Sequence, residues 1–187
     1  MDVLFVNPGN SKQIYQDLAD DYSAIETPTW SLLLAQSCRS VGYSVGILDA
    51  LAERLTDEQA AKRIEEINPK LICFVVYGQN PNSGTVNMSG VVKMAAEIKK
   101  LGIPNPVGLV GSHAQALPIE VLETEKDIDI VFTNEAVYSL WNILKIDMSD
   151  KEQLKDVKGI GFLKDGKPFL TLPETIVPQD KMDEHLP

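Results

Sequence analysis

Leu71-Ile72-Cys73-Phe74-Val75-Val76-Tyr77-Gly78-Gln79-Asn80-Pro81-Asn82-Ser83-Gly84 is the stretch on which the fold turns. Its first seven residues are apolar without a break and rich in β-branched and aromatic side chains; the next seven are glycine, glutamine, asparagine, proline and serine. A strand with one solvated face would alternate polar and apolar residues, so an unbroken short run means burial on both faces. The stretch therefore reads as the central strand of a parallel sheet, covered by helices on both sides and opening at its carboxyl end into a polar loop.

Working outward, similar short runs recur. Val3–Val6 ends at Asn7-Pro8-Gly9-Asn10, and Val45–Leu48 ends at Asp49. Downstream, Val107–Val110 precedes Gly111-Ser112-His113, and Ile128–Phe132 precedes Thr133-Asn134-Glu135. Helical patterns fill the gaps. Thr27-Pro28 is a capping pair for a helix running to about Val41 and stopping at Gly42. Thr56 and Gln59 have the capping-box spacing ahead of Ala60, Ile64 and Ile67, and Pro69 closes that helix. Met88, Val91, Val92, Ala95 and Ile98 form a stripe that Gly102 ends. A short helix is expected around Pro118–Leu122, and Val137, Leu140, Trp141 and Leu144 mark another. Glu135 stands where that last helix opens. Residues 11–26 are polar and carry no assignable pattern.

Five strands alternating with helices predict an α/β domain over residues 1–147: a doubly wound five-stranded parallel sheet of flavodoxin-like order 2-1-3-4-5. From residue 148 the pattern changes. Gly159–Leu163 and Lys167–Thr171 flank Asp165-Gly166, a hairpin turn. Pro173, Pro178 and Pro187 then punctuate a polar, extended tail. Residues 148–187 are expected to form a β-hairpin and a linker.

Composition limits the function. The 187 residues carry 27 acids against 17 bases, a formal charge of −10. Nucleic-acid binding is not expected without a basic face. No apolar run approaches the roughly 20 residues of a membrane span. No basic leader precedes Val3, so no signal peptide is expected. Cys38 and Cys73 lie in apolar segments and read as buried thiols, which suits a reducing cytoplasm.

In an open parallel sheet, ligands bind beyond the carboxyl ends of the strands, at the point where strand order reverses. The residues there are Asn7 and Pro8, then Tyr77, Gly78, Gln79 and Asn80, then Gly111, Ser112 and His113, then Thr133, Asn134 and Glu135. Small, polar and mostly uncharged, they suit a large polar ligand approached closely by backbone. Each has a structural reading as well. Gly78 and Gly111 equally serve tight turns, His113 a local cap, Glu135 a helix N-terminus, and Tyr77 the core. Other chemistry is poorly matched. No phosphate-binding glycine motif, G-x-S-x-G elbow or metal-ligand set is present, since His113 and His185 are far apart in the chain. A phosphoacceptor domain would need acids where Asn7 and Tyr77 stand.

Taken in order, these motifs resemble the N-terminal cobalamin-binding domain of cobalamin-dependent radical S-adenosylmethionine enzymes. Val6-Asn7-Pro8-Gly9 matches that family's Asn-Pro-Pro after the first strand. Asp49-Ala50 matches its second-strand end. Val110-Gly111-Ser112-His113-Ala114-Gln115 before Leu117-Pro118 matches its Gly-Gly-Pro-His-Ala-Thr and Leu-Pro. Asn134-Glu135 matches its Gly-Glu, and Asp183–Pro187 its closing linker. The resemblance implies cobalamin as cofactor, with an iron-sulfur cluster and S-adenosylmethionine held by a C-terminal radical domain of the same polypeptide. Cys38 and Cys73 do not form the C-x-x-x-C-x-x-C of that domain. Methyl transfer or related chemistry at an unactivated carbon would belong to the parent enzyme, and the domain alone would not be catalytic. Other cobalamin domains place a cobalt-ligating histidine in D-x-H-x-x-G; here Leu51 occupies that position. Leu51 would then be an apolar floor beneath the corrin. Gly111 is expected to admit the ligand's tail, so that a larger side chain would block binding and spare the sheet. The alternative reading is a non-catalytic flavodoxin-like module that binds a nucleotide or a protein partner.

Overall fold

The computed structural model describes residues 1–9, 25–77 and 81–186. Strands β1 (Val3–Asn7), β2 (Val45–Asp49), β3 (Leu71–Val76), β4 (Val107–Gly111) and β5 (Ile130–Phe132) are mutually parallel, in the order 2-1-3-4-5. The expected doubly wound sheet is present. Between them run α1 (Thr29–Ser40), α2 (Asp57–Ile67), α3 (Pro81–Lys100), α4 (Ser112–Ala116) and α5 (Pro118–Thr124); α6 (Val137–Ile143) and α7 (Lys151–Leu154) follow β5. Then come β6 (Ile160–Lys164), β7 (Lys167–Leu170), a 3₁₀ turn at Gln179–Lys181 and α8 (Met182–His185).

Strand pleating sorts the side chains into two cores. Leu4, Val6, Ile72, Phe74 and Val76 face Ala60, Ile64, Val91, Met94 and Ile98 of α2 and α3. Val3, Phe5, Leu71, Cys73 and Val75 face Leu34 and Cys38 of α1 and Leu140 and Ile143 of α6. Every residue of β3 is buried, which is why its sequence shows no alternation. Phe5 and Phe74, fully buried on opposite faces, each contribute about 1.5–3 kcal/mol by leaving water.

Local signals act largely as read. The Thr56–Gln59 capping box is formed in both directions. Asp165 and Gly166 both take positive φ, 51° and 74°, as a type I′ hairpin turn requires. Some boundaries shift. Pro28 sits at the cap position, with ψ of 63°, so α1 begins one residue later than its sequence signal. α6 begins at Val137, because Ala136 is left-handed at φ 71° and separates Glu135 from the helix.

The hairpin extends the main sheet to seven strands, with β6 antiparallel to β5. The tail folds back over the α1 and α6 face. The Ser37 hydroxyl donates to the His185 carbonyl at 2.5 Å and accepts from Trp141 Nε1 at 3.2 Å. Tyr138, Trp141 and His185 pack edge to face, with the Tyr138 hydroxyl 2.8 Å from His185 Nδ1.

Candidate functional site

Strand order reverses between β1 and β3, whose neighbours lie on opposite sides. Their carboxyl ends, with those of β2, β4 and β5, carry the described residues picked out in the sequence.

At β1, the Asn7 amide donates to Asp49 Oδ1 at 2.8 Å, and the Asn7 carbonyl accepts from Ala50 N at 3.0 Å. Pro8 is buried behind it. Asp49 also accepts from Ala52 N at 3.0 Å, which closes the turn carrying the half-buried Leu51. Arg54, at the position where the histidine-bearing motif has glycine, is left-handed with φ 52°. The turn thus keeps the motif's Asp and a backbone conformation that glycine favours, without its histidine or its glycine.

At β3, pleating sends Tyr77 to the α1 face, where its ring meets Trp30 at 4.6 Å between centroids. Gln115 Nε2 donates to the Tyr77 hydroxyl. Burial pushes the phenol pKa well up, the Glu135 charge pushes the same way, and the Gln115 hydrogen bond opposes them. Tyr77 is therefore neutral across the physiological range. Gly78, Gln79 and Asn80 lie outside the described residues.

At β4, Gly111 is extended and pairs with Val76. A Cβ at Gly111 would lie 3.0 Å from the Val76 carbonyl carbon and closer still to its oxygen. The close approach that requires glycine is thus strand against strand. This corrects the expectation that a larger side chain at Gly111 would spare the sheet. Ser112 Oγ is shielded from solvent and has no hydrogen-bond partner among the described residues. His113 is half-buried in α4, and its carbonyl accepts from Leu117 N at 3.0 Å.

At β5, Thr133 N donates to the Gly159 carbonyl at 2.9 Å. Asn134 accepts from Ala136 N at 2.9 Å and donates to the Glu174 carbonyl at 3.2 Å. Glu135 Oε1 accepts from Val177 N at 2.8 Å. Two of the three expected contact residues on this loop therefore anchor the tail. Trp30 and Gln115 were absent from the expected set. Gln115 lies inside the His-Ala-Gln motif quoted above, but nothing local signals that Trp30 reaches Tyr77.

The edge can donate neutral hydrogen bonds and offers an aromatic pair and an aliphatic turn. Among the described residues the strand ends carry the carboxylates of Asp49 and Glu135, and the turn after β2 carries Glu53 and Arg54. No cluster of three metal-ligating side chains occurs among the described residues, and none of their helices is long and apolar enough to cross a membrane.

These features define a doubly wound α/β domain with a hairpin-extended sheet and a polar carboxyl edge without a basic cluster among the described residues. Comparison with protein-family models and with curated proteins finds no match. Solved structures do match. OxsB, a cobalamin-dependent S-adenosylmethionine radical enzyme with aqua-cobalamin and S-adenosylmethionine bound, is 17% identical at TM-score 0.71, over 99% of this chain and 23% of that one. The radical S-adenosylmethionine methyltransferase TsrM from Kitasatospora setae, with tryptophan substrate and a cofactor analogue bound, is 16% identical at TM-score 0.68, over 92% and 30%. TsrM with cobalamin and a [4Fe-4S] cluster gives 17% and 0.67, over 96% and 30%. At these identities the likeness is one of fold. The chain spans less than a third of the length of these enzymes.

Proposed function

We propose that this chain is the cobalamin-binding domain of a cobalamin-dependent radical S-adenosylmethionine enzyme. The observation that carries the reading is the fold likeness to two such enzymes, which extends over 92% and 99% of the chain. The ordered motifs noted in the sequence point to the same family.

The residues present fit the cofactor. Cobalamin offers many carboxamides and one phosphate, which suits a polar edge of mostly uncharged donors and acceptors better than a basic one. The shielded, unpartnered Ser112 hydroxyl is a polar group in want of an acceptor. Asn7, Pro8, Gly111, Ser112, His113 and Thr133 would line the cofactor, with Gly78, Gln79 and Asn80 beside them. Leu51 would supply an apolar floor in place of a cobalt-ligating histidine. Asn134 and Glu135 would act at one remove, by holding residues 174–177 alongside. Bound cobalamin would supply a cobalt centre able to carry a methyl group. This chain's residues would orient it and shield its lower face from water.

Residues 1–147 would be the cofactor domain, and 148–187 would lead toward a radical domain in the same polypeptide. That domain would hold the iron-sulfur cluster and S-adenosylmethionine, and would perform methyl transfer or related chemistry at an unactivated carbon. Two buried free thiols suit a reducing cytoplasm.

Gel filtration after incubation with hydroxocobalamin tests the reading. Corrinoid absorbance should co-elute with folded protein. Folded protein that elutes colourless would favour a flavodoxin-like module for a nucleotide or a protein partner instead.

A further inference from the structure

Tyr77 and Ser112 are each the first residue past Val76 and Gly111, which pair across β3 and β4. The two side chains therefore leave adjacent strands at the same level. Their hydrogen bonding is incomplete in complementary ways. The Tyr77 oxygen accepts from Gln115 Nε2, so its own proton remains to be donated. The Ser112 hydroxyl, shielded from water, has neither donor nor acceptor among the described residues. A buried hydroxyl left without a partner is destabilising, a cost that persists in folded proteins where a ligand relieves it.

The Tyr77 ring is held from two sides, by Trp30 against its face and Gln115 at its hydroxyl, so the donor is positioned before any ligand arrives. Glu135 lies close enough for its charge to act on the phenol. An anionic group bound at the Tyr77 hydroxyl would meet that carboxylate. A neutral acceptor would not.

The geometry points to Tyr77 and Ser112 as a paired donor set that binds a neutral acceptor of the ligand, with Trp30 and Gln115 as positioning residues. The inference rests on the corrinoid reading and deepens it. In a corrinoid such an acceptor is either a carboxamide oxygen of the ring periphery or a ring nitrogen of the tail's heteroaromatic base.

Hydroxocobalamin and cobinamide, which lacks the nucleotide tail, are the two probes. Each is titrated by absorbance into wild type, Tyr77→Phe and Ser112→Ala, with folding checked by circular dichroism. Ser112→Ala removes no internal hydrogen bond among the described residues, so its fold should be unchanged. Each variant should bind hydroxocobalamin roughly five- to tenfold more weakly. An equal loss with cobinamide assigns the acceptor to a ring carboxamide; a loss with hydroxocobalamin alone assigns it to the tail. Wild-type affinity of both folded variants for both probes would overturn the inference while leaving the corrinoid reading intact. A wild type that retains neither probe would overturn both.

Discussion

Gly111→Ala isolates the contact that shapes the carboxyl edge. The new methyl carbon would lie 3.0 Å from the Val76 carbonyl carbon and 3.2 Å from its Cβ, with the carbonyl oxygen nearer still. Carbon atoms rest at about 3.5–4.0 Å, so β3 and β4 must separate by roughly half an ångström at their ends. The obstacle is backbone in the most buried strand pair, and no side-chain rotation relieves it. Overpacking of this kind costs about 1–3 kcal/mol. Gly111 is extended, so alanine meets no backbone strain and restricts the unfolded chain, returning about 0.4–1 kcal/mol. The net loss should be about 1–2 kcal/mol, or a Tm lower by roughly 2–8 °C for a domain of this size. Urea unfolding followed by circular dichroism measures it. Gly9→Ala is the control, because its added carbon meets nothing nearer than 3.6 Å and should change stability by less than about 0.5 kcal/mol. Equal midpoints for Gly111→Ala and wild type would refute the assignment of Gly111 to strand packing.

Three further outcomes follow from particular contacts. The Asp2 carboxyl is held well below the ordinary carboxylate range by Lys70 and by the Ser44 backbone and hydroxyl. A folded pKa lowered in this way gives stability that is complete above the unfolded value and is lost as pH falls from there through the folded value. Asp2→Asn should therefore cost up to about 1 kcal/mol at neutral pH, the Lys70 side chain being largely exposed. That deficit against wild type should begin to shrink in urea titrations as pH falls below about 4 and disappear only below the lowered folded pKa; a deficit independent of pH would contradict it. Burial pushes the Cys38 thiol up to about 12 and the Cys73 thiol well above its usual value. Ellman's reagent at about pH 8 should find no reactive thiol until the protein unfolds, and prompt native labelling would show the packing to be wrong. Glu135→Ala removes the acceptor for Val177 N, and limited proteolysis near residues 174–177 should quicken roughly fivefold. Glu135→Gln keeps an acceptor oxygen and should restore resistance; equal cleavage of both variants would deny the tether.

The sheet was legible because its central strand cannot be read any other way. Seven unbroken apolar residues need two covering layers, and the helical stripes on either side supplied them. The Asp165-Gly166 turn was equally plain, since few residue pairs accept two positive φ angles. The site was legible only as a location. Gly111 announced a close approach but not the approaching group, which is Val76 of the neighbouring strand. Asn134 and Glu135 announced polar contacts, yet their partners Glu174 and Val177 lie 40 and 42 residues downstream. Periodicities of 2 and 3.6 report which face a side chain occupies, and carry no information about a segment arriving from so far along the chain. The stacking of Trp30 on Tyr77 is of the same kind, fixed by how α1 lies on the sheet.

The central claim is that a corrinoid lies across the carboxyl ends of β1, β3, β4 and β5. A crystal structure of the protein grown with hydroxocobalamin tests it most directly. The account predicts corrinoid density over that edge, with Leu51 beneath the ring, no protein nitrogen on the lower face of cobalt, and Tyr77 and Ser112 within hydrogen-bond distance. Corrinoid density elsewhere on the molecule, or an edge occupied by this chain's own side chains with no corrinoid present, would contradict it.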